Sequence, residues 1–187
     1  GIGNTSPDGT LHIQTATAGS ITAPSTADDL VIEGSTTPGV SILMPNNGVG
    51  RYGFGVVEDN DRAYMSYSHD VEKMFFGVGG ADRMTITAGK VGINEASPKG
   101  MLDIDASSLD AVADLDDAND YAIVLRNNST TDTGNGIAFT NDDGGHVGGA
   151  IIHQDKGSNN LGDLVFYTNA NNSGNPTERM RIHSNGE

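Results

Sequence analysis

Cysteine and tryptophan are absent from this 187-residue chain, aromatic residues supply 5% of it, and 10 basic side chains face 25 acidic ones. Without cysteine there is no disulfide, thiolate metal site or cysteine nucleophile, and the redox compartment stays open. A formal charge of −15 repels nucleic-acid backbones and anionic membrane surfaces and keeps an extended particle soluble. No apolar run reaches membrane length and no signal-peptide pattern opens the chain. The apolar fraction is only 35%, while glycine occurs 26 times. Such a chain lacks the long apolar elements of a thick private core, so part of its apolar surface is expected to be covered by other chains.

What the chain does have is repetition. Gly1–Ile13 aligns without a gap on Gly92–Ile104, at a shift of 91 residues: Ile2 falls on Ile93, Ser6-Pro7 on Ser97-Pro98, Leu11 on Leu102 and Ile13 on Ile104. Arg83-Met84-Thr85-Ile86 falls on Arg179-Met180-Arg181-Ile182 at a shift of 96, the drift being taken up in loops. Between these anchors the match is weaker: Leu30–Glu33 faces Ile123–Arg126, Gly39–Met44 faces Gly134–Phe139, and Tyr64–Tyr67 faces Leu164–Tyr167. The chain therefore reads as two β-repeat units, residues 1–91 and 92–187, cut from a longer array near the same seam.

Nearly every element within a unit reads as a short strand. Leu11-His12-Ile13, Met84-Thr85-Ile86 and Met180-Arg181-Ile182 alternate apolar and polar, the period of a half-buried strand. Leu30–Ile32, Ile123–Leu125 and Leu164–Tyr167 are continuous apolar runs, as expected of strands buried on both faces. Turn peptides separate them, among them Pro45-Asn46-Asn47-Gly48, Asp142-Asp143-Gly144-Gly145 and Ser184-Asn185-Gly186. The expected class is all-β. One exception is Leu109, Val112 and Leu115 behind Ser108, a helical spacing that predicts a variable loop with a short helix near residues 108–118.

The repeated segments resemble the shaft repeat of bacteriophage tail fibres and tail spikes, and related tail fibre domain proteins. The residues that carry this are Glu178-Arg179-Met180-Arg181-Ile182-His183-Ser184-Asn185-Gly186, Arg83-Met84-Thr85-Ile86, Val91-Gly92-Ile93-Asn94, Ser97-Pro98 and Leu102-Asp103-Ile104. Gly136–Phe139, Gly149–Ile152 and Gly162–Tyr167 are similar to the interior of such a unit. Asn94-Glu95-Ala96 departs from the pattern's Gly-Thr-Thr, and the first unit diverges between Val49 and Phe76. The resemblance implies a parallel, intertwined homotrimer of elongated short-strand β-structure, a structural shaft segment of a virion tail fibre or an extracellular appendage. Its partners would be further copies of itself, neighbouring fibre or virion segments and, through the fibre, a host surface glycan or protein. A bacterial or archaeal filament built from the same repeat, or a carbohydrate-binding or depolymerising spike, are the alternatives.

Ile2, Leu11, Ile13, Met84, Ile86, Val91, Ile93, Leu102, Ile104, Ile137, Phe139, Leu164, Phe166, Met180 and Ile182 are expected to pack in the core or against neighbouring chains. The arginines that alternate with them should face outward. Asp82, Arg83, Glu178 and Arg179 are expected to pair between chains, at about 0–1 kcal/mol per exposed pair. His12, His69, His146, His153 and His183 contain no His-x-His pair and are not assigned as metal ligands, and His12 and His183, at polar positions of alternating strands, read as solvent-facing or as hydrogen-bonding between chains. The acidic runs lack the full calcium-loop spacing. Turn chemistry accounts for Asp142 and Asp143 and solvation for Asp116 and Asp117, the four residues at which a calcium ion would otherwise be sought. No cofactor is expected. No nucleophile–base arrangement, phosphate loop or dinucleotide motif is present, and the carboxylates lie mostly in turns without aromatic platforms, so no catalytic residue is assigned.

Overall fold

The computed structural model describes residues 1–107, 109, 115, 117–127, 133–140, 146–157, 161–170 and 175–187. Among them are twelve β-strands, one turn of 3-10 helix at Ala118–Asp120 and no α-helix, so the chain is all-β. Most of the helix expected near 108–118 falls outside the described residues. The chain divides into two compact units, Gly1–Asp105 and Ala106–Glu187. The sequence period breaks earlier, at residue 91, because it follows a repeating pattern. The compact unit follows hydrogen bonding instead, and the strands after residue 90 are bonded into the sheet that precedes them.

In the first unit β1 (Leu11–Gln14) and β2 (Leu30–Glu33) form a parallel pair. A second sheet holds six strands in sequence order: β3 (Val49–Val56), β4 (Asp59–Ser68), β5 (Lys73–Val78), β6 (Ala81–Thr87), β7 (Lys90–Ile93) and β8 (Leu102–Ile104). Neighbours are antiparallel except β7 and β8. The second unit is a four-stranded antiparallel meander of β9 (Gly134–Phe139), β10 (Gly149–Asp155), β11 (Gly162–Thr168) and β12 (Thr177–Ile182). Turn chemistry sets the hairpins. Gly79 and Gly80, at φ 65° and 75°, form the two-residue turn between β5 and β6, a conformation whose twist matches that of the flanking strands.

The register exposes an internal symmetry. Tyr52, Met65, Phe76 and Met84 stand in one row across β3–β6, and Ile137, Ile151, Phe166 and Met180 in one row across β9–β12. Each row sits beside a β-bulge: Phe76 faces Met84 and Gly77 faces Asp82, just as Phe166 faces Met180 and Tyr167 faces Glu178. The extra residue is Arg83 in one unit and Arg179 in the other. This corrects the alignment of Tyr64–Tyr67 with Leu164–Tyr167, since the counterpart of β11 is β5. The region from Val49 to Phe76, read as diverged, holds β3, β4 and most of β5.

The Ser-Pro corners agree in more detail. Ile2 and Ile13 form a parallel bridge, and Ile93 and Ile104 form a parallel pair. Asn4 Oδ1 accepts from the Ser6 N–H at 2.7 Å, and Glu95 Oε1 accepts from the Ser97 N–H at 2.5 Å. His12 Nδ1 accepts from the Asp8 N–H at 3.1 Å, and Asp103 Oδ2 from the Lys99 N–H at 2.8 Å. Gly3 and Asn94 both have positive φ, 76° and 54°. Different side chains thus satisfy the same main-chain donors, which is why the corner survives when its residues change. Lys73 and Lys90 also donate to the Ala96 and Pro98 carbonyls, at 2.7 and 3.2 Å.

Three apolar runs differ from expectation. Leu30–Ile32 lies in a two-stranded sheet with Leu30 exposed, and Leu164–Tyr167 alternates, with Val165 fully buried and Leu164 exposed. Ile123–Leu125 forms no strand, and all three side chains are exposed. Burial on both faces needs a layer on each side of a sheet, and among the described residues no second sheet covers the apolar face within either unit.

Glycine 92 tests the corner. A Cβ there would run into the Glu95 carbonyl, whereas one at Gly53 meets nothing within 4 Å. Gly92→Ala is expected to lower the thermal midpoint clearly and Gly53→Ala to leave it unchanged or slightly raised. Thermal melts showing the opposite order would contradict the corner geometry.

Candidate functional site

Strand alternation sorts the residues of the six-stranded sheet into two chemically distinct faces. One carries the rows Gly50–Tyr67–Met74–Ile86–Val91–Leu102 and Tyr52–Met65–Phe76–Met84–Ile93–Ile104, with Phe54, Ala63, Val78 and Ala81 beyond them. No charged residue stands in these rows. The opposite face carries Arg51, Tyr64, Ser66, Ser68, Lys73, Phe75, Gly77, Asp82, Thr85, Gly92 and Asp103. Ser66, Ser68 and Thr85 are buried, while Tyr52, Phe54, Val78 and Leu102 on the apolar face are exposed. The usual relation of polarity to burial is reversed.

The segment Val40–Met44 covers part of the apolar face. Between it and Met65, Tyr67 and Met74 lies an open cavity of about 300 Å³. The four-stranded sheet repeats the pattern. Ile137, Phe139, Leu164, Phe166, Met180 and Ile182 lie on one face, with Phe139 56%, Met180 53% and Ile182 43% exposed. In the parallel pair Leu11 and Ile13 share a face with Leu30 and Ile32, and Ile2 bridges to Ile13. Every apolar residue picked out for packing in the two larger sheets therefore lies on one face of its sheet, which in the four-stranded sheet also carries His153 and, at its end, Asp155. Among the described residues only Ala150 and Val165 are buried apolar side chains.

The acids and arginines expected to pair between chains have partners within the chain. At the bulges the alternation slips by one residue, which re-aims the side chains on one side of it. Asp82 thereby lands on the face of Tyr64 and accepts its hydroxyl at 2.6 Å, and that bond raises the phenol's pKa. Glu178 lands on the face of Arg181, which donates to it through Nε and Nη2 at 2.9 and 2.5 Å. Arg83 donates to the Val78 carbonyl at 3.4 Å and Arg179 to Thr168 Oγ1 at 2.7 Å.

Arg181 does not face outward as its alternation with Met180 and Ile182 suggested. Its side chain is 17% exposed and also donates from Nη1 to Asp163 at 2.6 Å and to Gln154 at 2.9 Å. Asp163, nearly buried, further accepts the Ser184 N–H at 3.0 Å and lies 3.4 Å from His183 Nδ1. The Arg181 guanidinium, followed by the Ser184 N–H, holds the Asp163 carboxyl below its ordinary pKa, and Arg181 does the same to Glu178. Those carboxylates in turn raise Arg181, Glu178 most. A neighbour-counting reading of sequence sees Glu178 beside Arg179 and misses Arg181, because only the bulge brings positions three apart together.

His12, expected at a solvent-facing position, is fully buried. Its Nε2 lies 3.0 Å from Glu33 Oε2, while Nδ1 takes the Asp8 N–H and the Asn4 amide lies 3.2 Å away. Its hydrogen bonds run within the chain rather than between chains. Glu33 also accepts the Ala18 N–H, the main cause of its lowered pKa. Arg51 stacks 3.7 Å above the Tyr64 ring and pairs with Asp61.

Of the acids considered for calcium, Asp116, Asp142 and Asp143 lie outside the described residues, and Asp117 caps the 3-10 turn by accepting from the Asn119 N–H at 2.8 Å. Among the described residues no three His, Asp or Glu side chains converge on a metal position, and no helix is long and apolar enough to cross a membrane. Comparison with family models, curated proteins and solved structures finds no match to this chain.

The Arg181 network makes a pH prediction with a definite sign. Asp163 and Glu178 have folded pKa values below their unfolded ones, so their contribution is complete above the ordinary carboxylate range near 4 and is lost as pH falls through and below it. The melting midpoint should therefore drop on acidification below about pH 4, and Arg181→Ala should flatten that dependence. At neutral pH Arg181→Ala, which strands the buried Asp163, should lower the midpoint more than Arg179→Ala. Equal effects would contradict the network.

Proposed function

We propose that this chain is a structural shaft segment of a homotrimeric fibre of the phage tail fibre or spike type, serving host attachment by holding a receptor-binding tip at a distance. The observation that supports this most is the amount and character of the uncovered surface. The chain exposes 13606 Å² at a mass of 19.4 kDa. Two separate compact domains sharing that mass would expose about 10,000 Å² together. The excess, on the order of 3,000 Å², falls in the range that obligate subunit interfaces bury.

The apolar rows of the sheets support putting that surface between chains. Covering 1,000 Å² of apolar area stabilises by about 25 kcal/mol before association costs, against about 0–1 kcal/mol for an exposed ion pair. Apolar cover therefore governs assembly. A partner that is another copy carries the same charge of −15, and the charge-free rows are where two such chains meet without bringing carboxylates together. The resemblance of the Arg-Met-x-Ile, Val-Gly-Ile and Ser-Pro elements to fibre shaft repeats supplies the threefold arrangement. The function on this reading is mechanical: rigidity and reach, with stability summed over repeats and their junctions.

Size-exclusion chromatography with light scattering tests the face assignment. Ile93→Asp and Ile182→Asp place a carboxylate in the uncharged rows and are expected to shift the assembly toward single chains. Arg179→Ala, on an exposed side chain, should leave the assembled mass unchanged. Aspartate variants that assemble as well as the parent would overturn the proposal.

A further inference from the structure

We propose that the open cavity beneath Val40–Met44 is a binding site for a soft monovalent cation, copper(I) or silver(I), held by the thioether sulfurs of Met44, Met65 and Met74 with the imidazole of His69 at its mouth. The site lies wholly within the first compact unit and does not depend on how the chain assembles.

Strand register brings these donors together. Met74 on β5 stands directly opposite Tyr67 on β4, and Met65 is the preceding residue on the same face of β4. His69 follows Tyr67 at the same spacing. Its N–H donates to the Gly48 carbonyl at 3.1 Å, and its ring meets the Tyr67 ring edge-on at 5.0 Å. Met44 comes from the covering segment. Gly50, opposite Tyr67 on β3, has no side chain, and Met44 occupies the space above it: a Cβ at Gly50 would stand 3.2 Å from the Met44 sulfur. Half of the chain's six methionines therefore line one cavity of about 300 Å³. The three are half-buried, and His69 is exposed. Unlike His12 and His183, whose rings face Glu33 and Asp163, His69 engages no hydrogen-bond or ion-pair partner through its ring among the described residues.

Methionine placed for packing alone fills the gap it borders, whereas here a cavity stays open among three of them. Its walls offer soft, neutral donors and no carboxylate. Thioether sulfur selects copper(I), which imidazole also suits, while calcium and magnesium require oxygen ligands. Neutral walls favour a single positive charge, because a divalent ion costs more to take out of water when no anion compensates it. Arg51, the one cationic residue at the cavity, is turned to the other face, where it stacks on Tyr64 and pairs with Asp61. No cysteine competes for the ion, and the formal charge of −15 draws cations to the chain. Methionine's three side-chain torsions let each sulfur swing into the cavity. Binding transfers no electron, so the ion enters and leaves in one oxidation state.

Silver(I), which needs no reductant, is the direct probe. It is titrated into the full chain in chloride-free buffer, with carbon-13 in the methionine methyl groups. Saturation is expected at one ion per chain, with the Met44, Met65 and Met74 signals shifting and those of Met84, Met101 and Met180 staying in place. Copper(I) supplied under reducing conditions should compete for the site, and calcium and zinc(II) should not. Met65→Leu combined with Met74→Leu conserves apolar volume, so the thermal midpoint should stay close to the parent's while silver(I) retention is lost. His69→Ala, on an exposed side chain, should weaken retention without moving the midpoint. Silver(I) that fails to bind, an equal response of all six methionines (an adventitious ion only), or retention unchanged in the leucine variant would overturn the site. Should the leucine variant not fold, the methyl shifts of the parent decide by the same criterion. The mass of the parent tests the assembly reading separately.

Discussion

A β-sheet has two faces, and this chain covers each of its larger sheets well on only one. The face that is best closed is the one lined by Ser66, Ser68 and Thr85 in the first unit and by Ala150, Asp163 and Val165 in the second. Small and hydrogen-bonded side chains fit there with little private core. The remaining face gathers most of the methionine, isoleucine, leucine and phenylalanine side chains, Phe75 and Ile152 lying on the other, and meets solvent across much of its area. The proposed assembly follows from that division. On the proposed reading, apolar burial is the only term large enough to hold an assembly, and the central rows of both apolar faces carry no carboxylate.

The two bulges tie this arrangement to the polar chemistry. A regular strand would put Glu178 on the face of Met180 and Ile182, and Asp82 on the face of Met84 and Ile86. One extra residue at Arg179 and at Arg83 turns each acid to the other side, where Arg181 and Tyr64 receive it. The bulge thus removes a carboxylate from the apolar face and supplies a partner for it in the same step. In the second unit this completes a network around the buried Asp163, so acid sensitivity and face polarity share one structural cause.

Much of this was legible in the residues. The alternation of Met84 with Ile86 and of Met180 with Ile182 identified which side chains share a face, and the match of Gly1–Ile13 to Gly92–Ile104 located two corners that agree down to their hydrogen bonds. What could not be read is the register. A one-residue bulge leaves no mark in composition yet reverses every later side chain, so Glu178 looked like the neighbour of Arg179 and Arg181 looked solvent-facing. Continuous apolar runs were a second blind spot: Leu164–Tyr167 alternates and Ile123–Leu125 has no ladder, since periodicity cannot tell double-sided burial from a face awaiting a partner. The glycine-rich strand β3 escaped notice because its apolar positions are diluted by Gly50, Gly53 and Gly55.

The central claim is that the uncharged faces are covered by further copies of the same chain. Sedimentation equilibrium of the parent protein at neutral pH and moderate salt addresses it without mutation or labelling. The account predicts a single species of about three times the chain mass of 19.4 kDa, persisting on dilution into the nanomolar range. A stable species at the mass of one chain, folded and soluble with its apolar faces bare, would contradict it.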